Sequence, residues 1–202
     1  MLLLINNLMK RLITILIILF STATFCQNFY DSLSTAAIGL THQKVIYDPS
    51  YYSIDYPNGD IPSGLGVCTD VVIRAYRAMG IDLQKEVHED MKTNFSSYPS
   101  KWGHRTTDKN IDHRRVPNLM TFFNRQGASI PITPIPSDYL PGDIVCWDLG
   151  SGITHIGIIV TPKSNDLLRN KIVHNIGQGQ VMEDCLFDYR IIGHYRYPVG
   201  ND

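Results

Sequence analysis

This 202-residue chain lacks an excess of charge of either sign: 18 Lys and Arg stand against 19 Asp and Glu, for a formal charge of −1. Without an excess of cations to offset a phosphate backbone, the composition argues against nucleic acid as the main partner. Cysteine is scarce, with four residues in all, too few for a scaffold stapled by disulfides. Gly (15) and Pro (11) stay near background, which excludes collagen-like chains. There is no internal repeat, no low-complexity block and no linker-like stretch. What is present is ordinary globular material, with 44% hydrophobic and 10% aromatic residues, enough for one core at this length.

The first 26 residues are set apart by their pattern. Lys10 and Arg11 precede an apolar run, Leu12 to Phe20, broken only by Thr14. A basic stretch, then about 7–15 apolar residues, then small polar ones is the pattern of a secretory signal. The run is shorter than the roughly 20 residues that span a bilayer, so export with cleavage near Phe25-Cys26-Gln27 is expected rather than anchoring. Lipid attachment at Cys26 fits poorly with the bulky Phe25 before it. The expected organisation is a signal peptide over 1–26 and a single domain over 27–202, exported to the periplasm or cell envelope with no membrane span left. Losing Lys10 and Arg11 makes the domain mildly acidic. Cys68, Cys146 and Cys185 remain, an odd number, so at least one thiol has no intramolecular partner in an oxidising compartment. Three small buried hydrophobes and a Cys146–Cys185 bridge are both compatible with the sequence.

Along the domain, helical texture comes first and strand texture after. Leu33, Ala36, Ala37 and Leu40 share one helical face, and GVCTDVVIRAYRAMG repeats its apolar residues at helical spacing up to Gly80. Between them, Val45 to Gly66 reads as irregular loop, rich in Tyr, Pro, Gly, Asn and Asp. Shorter helices are expected over 81–130, with Leu119, Phe122 and Phe123 as an apolar face. After Pro141-Gly142 come five strand candidates: GDIVCWDL, ITHIGIIV, KIVHNI, QVME and IIGHYRYP. Helices followed by antiparallel strands define an α+β domain.

Three residues carry the chemistry. Cys68 stands where a Gly-rich loop enters a helix, and the unpaired amides there favour a thiolate and can hold an oxyanion. His155 opens ITHIGIIV and His174 lies in KIVHNI. If Val160 pairs with Lys171, then Gly157 faces His174 and His155 becomes its diagonal neighbour, within reach of a bridging hydrogen bond. A register slip of one residue would turn His174 to the other face. Taken singly, each of the three reads as a buried cysteine or a satisfied histidine. Taken together they supply a nucleophile, a base and a residue that orients the base.

At this point a resemblance emerges. GVCTDVV, PGDIVCW with THIGIIV, and IVHNIG resemble the three motifs of NlpC-type cell-wall peptidases. More specifically, segments from YDPSYYSIDYPNGDIP to IIGHYRYP, covering about Val45 to Pro198, are similar to the YijF-like bacterial family of unknown function. The resemblance implies a papain-like, NlpC-type fold with N-terminal helices packed on a C-terminal antiparallel sheet. It also implies that Cys68 is the nucleophile, His155 the base and His174 the orienter, and that the amide bonds of peptidoglycan stem peptides are cleaved. A tyrosine placed near the nucleophile in relatives maps onto Tyr56. The chain departs from the wider pattern where Val67 precedes the cysteine and Thr69-Asp70 follow it.

The segment WGHRTTDKNIDHRRVP gathers His104, Asp108, Asp112, His113, Arg114 and Arg115. No compact ligand set such as HExxH occurs, so neither metal nor other cofactor is expected. Arg114 or Arg115 suits bidentate contact with a substrate carboxylate, and Asp112 suits orienting that guanidinium or holding an ammonium group. A solvated polar loop is the plainer alternative. Two further functions stay open beside the hydrolase: a non-catalytic wall-binding module of the same fold, and a papain-like lipid acyl-transfer enzyme.

Overall fold

The computed structural model describes residues 29–198. The signal sequence expected over 1–26, with Cys26, lies outside the described residues. Helix α1 covers 29–40 and buries Tyr30, Leu33, Ser34 and Ala37, the i, i+3, i+4, i+7 stripe of an amphipathic helix. The stretch expected to be irregular contains a short parallel pair, β1 (Ile46–Tyr47) and β2 (Leu65–Gly66), with Tyr47 opposite Gly66. Helix α2 (Cys68–Ala78) follows at once, then α3 (Leu83–Thr93) and α4 (Val116–Arg125). Asp82 caps α3 by accepting the Lys85 amide, and Pro117 occupies the first turn of α4, where a missing N–H costs nothing.

All five strand candidates form strands. They are β3 (Ile144–Asp148), β4 (Thr154–Lys163), β5 (Asn170–His174), β6 (Val181–Glu183) and β7 (Arg190–Tyr195). Their order is β6-β5-β4-β3-β7, and every neighbouring pair is antiparallel. The Pro141-Gly142-Asp143 turn launches β3. Gly142 sits at φ 85°, and a Cβ there would lie 2.7 Å from Tyr30, so only glycine fits.

Side chains alternate across a strand, and the sheet uses this to separate two environments. Ile156, Ile158 and Val160 of β4 face the helices, packed with Cys146, Val173, Val72, Ala75, Leu119 and Phe123. The opposite face collects Val145, Trp147, Ile159 and Ile172 under Tyr139, Cys185 and Leu186. Fully burying one such aliphatic or aromatic side chain is worth about 1.5–3 kcal/mol. The domain is therefore α+β, with helices on one face of an antiparallel five-stranded sheet.

Candidate active site

The end of the sheet where β4 begins and β5 ends carries the candidate residues. Val160 pairs with Lys171 and Ile158 with Val173, the register expected from the sequence. This brings His174 alongside Gly157 and makes His155 its diagonal neighbour on the same face. The two imidazoles meet edge to face, with Nε2 of His155 2.8 Å from Nδ1 of His174. Gly157 is needed for this approach: a Cβ there would lie 2.6 Å from Ile172 Cγ2 and 3.2 Å from His174 Cβ. On its outer side, Nε2 of His174 lies 3.0 Å from Glu183 Oε2 on β6 and 3.6 Å from the Cys185 sulfur. Trp147 tilts against His155 with ring centroids 5.8 Å apart. Both imidazoles are buried, which disfavours their charged forms. The pKa of His155 is pushed down to about 3 by burial, with the His174 ring adding to the effect; that of His174 is lowered by burial, which Glu183 opposes.

Cys68 arrives from the helix side. The register leaves Ile156 beyond the end of β5, and its amide faces the Cys68 sulfur, one peptide from His155. Asn175 Nδ2 donates to the Gly66 carbonyl at 3.1 Å and ties the loop before Cys68 to the end of β5. The helix start brings the amides of Cys68 and Thr69 to the sulfur as well. These amides favour a thiolate, but full burial outweighs them and, with Asp70 adding to the rise, pushes the thiol up to about 12. The expectation of a depressed thiol pKa is corrected on that ground: desolvation exceeds what the helix terminus returns. Among the described residues no hydrogen bond joins the thiol to an imidazole, and Nδ1 of His155 carries none. Cys146 and Cys185 are unbridged, because they lie on opposite faces of the sheet.

Tyr56 does not stand beside the nucleophile. Its ring meets His88 edge-on and its hydroxyl lies 3.5 Å from Glu89, both on α3. The tyrosine near Cys68 is Tyr47, whose phenol is raised by burial and by the neighbouring Cys68 and Asp70. The β1–β2 pairing puts it there, since its partner Gly66 lies two residues before Cys68. Four tyrosines crowd residues 47–56, and only the pairing separates them. Tyr47 also lines an open cleft with His42, Lys44, Gly177, Gly179 and Gln180.

Arg114 has a different occupation from the one expected. Its side chain is 2% exposed, and the guanidinium donates to both oxygens of Asp70, at 3.0 and 3.1 Å, and to the backbone oxygens of Ser50 and Asp48. Asp70 also accepts the Val67 amide at 2.7 Å. Arg114 therefore braces the start of α2 and the loop after β1, and it presents no free fork to a ligand. Asp112 is buried too; its carboxylate accepts the Asp108 amide, and burial raises it to about 6. Arg115 lies over Trp102, 4.2 Å from the ring centroid, and against His104. Glu183 and Tyr47 were not singled out from sequence, and Cys185 was considered only as a small buried residue or a bridge partner of Cys146. For Glu183 the signal was the alternation in QVMED, readable only once the β5–β6 pairing is known.

The fold and this site define the class: an α+β domain whose sheet end holds a buried histidine pair on one face, with a helix-start cysteine reaching the same strand from the opposite, helix-covered face. The family model for a domain of unknown function (DUF1287) matches residues 34–197, and the chain belongs to that family. It is 51% identical over 158 residues to the uncharacterized protein YijF of Escherichia coli (strain K12), covering 77% of this chain and 75% of the relative.

Proposed function

We propose that this chain is an exported cysteine hydrolase with a papain-like, NlpC-type fold, cleaving amide bonds in peptidoglycan stem peptides in the periplasm or cell envelope. The observation that carries the proposal is the 2.8 Å His155–His174 contact, formed at the strand end where the Cys68 sulfur meets the backbone of β4. In the reaction, His155 Nδ1 takes the thiol proton as the sulfur attacks the amide carbonyl. The C–S bond forms, the C–N bond breaks, and the proton passes to the leaving amine. Water then releases the acyl group and restores the thiol. The resting pair is neutral thiol and neutral imidazole, so transfer waits until substrate draws sulfur and ring into contact. Such bonds commonly tighten only in the substrate complex. In this reading the oxyanion is received by the amides of Cys68 and Thr69 at the helix start.

A second reading draws on a specific observation. The burial of Cys68 and its high thiol pKa also suit a module that binds wall fragments through the Tyr47 cleft without turning them over. Incubation with purified muropeptides, followed by mass spectrometry of the fragments, separates the two. The hydrolase reading expects new amine termini with wild type and none with Cys68→Ala. Identical products from both, or binding without any product, overturns it.

A further inference from the structure

The buried polar chain does not stop at the second histidine. We infer that Glu183 is the positioning residue of the site, fixing through His174 which nitrogen of His155 is the base; this rests on the hydrolase reading above. The argument is one of donor and acceptor counting. An ionised carboxylate offers only lone pairs. Facing Glu183 Oε2 at 3.0 Å, Nε2 of His174 must therefore carry the hydrogen, because a bare nitrogen would set lone pair against lone pair. A neutral imidazole carries one N–H, so Nδ1 of His174 is bare and accepts. The 2.8 Å contact then requires the hydrogen of His155 to sit on Nε2. The nitrogen of His155 left bare is Nδ1, the atom that has no hydrogen bond and that the mechanism needs as a base. One carboxylate on β6 thus sets two tautomers in sequence.

The alternative proton arrangement is built into the same corner. The Cys185 sulfur lies 3.6 Å from the same His174 nitrogen, and its thiol, pushed up by burial to about 12, keeps its hydrogen. Without Glu183 that S–H becomes the available donor to a bare Nε2. The hydrogen of His174 would then move to Nδ1 and donate to His155, and His155 would carry its own hydrogen on Nδ1, where it cannot act as a base. Glu183 holds the chain in the productive direction. Its side chain is 45% exposed on an edge strand, so replacing it leaves the core intact.

The test uses the mature chain, residues 27–202, labelled with ¹⁵N, and long-range proton–nitrogen spectra at neutral pH. Wild type is expected to show both His155 and His174 as Nε2–H tautomers. Glu183→Leu, which has no acceptor, should move both hydrogens to Nδ1 and lower kcat on purified muropeptides by roughly tenfold or more with KM unchanged. Glu183→Gln keeps an acceptor oxygen and should fall between the two. A wild-type His174 with its hydrogen on Nδ1, or a leucine variant with unchanged tautomers and kcat, overturns the inference. Should wild type and Cys68→Ala be equally inert on muropeptides, the hydrolase reading falls while the spectra still decide what Glu183 does.

Discussion

Two histidine–carboxylate clusters are built into opposite ends of the sheet, and they differ in how fully their polar atoms are paired. At the start of β3, Asp143 accepts the Leu140 amide at 2.8 Å, contacts His194 Nε2 at 2.9 Å and accepts from Arg196 Nε at 2.7 Å. The other nitrogen of His194 lies 3.2 Å from the Pro131 carbonyl, and its ring stacks on Tyr139. Both ring nitrogens and both carboxylate oxygens are committed. At the other end, the Glu183–His174–His155 chain terminates in a ring nitrogen with no hydrogen bond. The closed cluster ties β3, β7 and the 131–140 loop together. The open one has one position left for chemistry. A buried histidine with a carboxylate partner does not distinguish them, because both clusters have one; saturation does, and with it the burial of the carboxylate, complete at Asp143 and partial at Glu183.

Replacing a residue at each end is the strongest way to break that contrast. His155→Gln should lower muropeptide hydrolysis by about a thousandfold, the loss of a general base, while the unfolding midpoint in urea moves little. Asp143→Asn should do the reverse: about 3 kcal/mol of stability lost, since His194 and Arg196 would be left without their anion, with hydrolysis at a temperature well below the melt reduced much less. Loss of activity from the second variant at full fold occupancy would show that the ends are coupled.

Acid sharpens the contrast further. His155 and His113 are held down to about 3 by burial, against about 6.5 in an unfolded chain. The unfolded state therefore binds more protons below pH 6.5, and stability falls as pH drops from 6.5 toward 3. At pH 5 each should cost about 2 kcal/mol relative to pH 7.5, read from urea midpoints at the two values. His155→Gln should remove its share of that slope; a slope unchanged by the substitution would mean that the ring already takes up a proton in the folded state.

The smallest effect expected is at Gly157. An alanine there meets Ile172 Cγ2 at 2.6 Å and His174 Cβ at 3.2 Å, so the strands must part slightly, at about 1 kcal/mol. The same parting lengthens the His155–His174 contact, so kcat should fall by more than the stability loss explains. Steady-state kinetics beside a thermal melt would show it, and a variant with normal kcat would mean that the pair tolerates a looser fit.

Much of this molecule could be read from residue order, because its cues are local. Helical spacing from Val71 to Met79 and a Gly stop place α2; alternation in ITHIGIIV and KIVHNI, with the pairing of Val160 and Lys171, places both histidines on one face. Contacts between segments distant in the chain could not be read this way. Tyr47 rather than Tyr56 neighbours Cys68 because a two-residue parallel pair, invisible as a pattern, docks β1 beside β2. Arg114 is spent on Asp70, 44 residues away, so its charge braces a helix instead of meeting a ligand. The protonation of Cys68 was decided in three dimensions too: the sequence supplies the helix terminus that lowers a thiol pKa, but packing against β4 removes the water, and desolvation is the larger of the two effects.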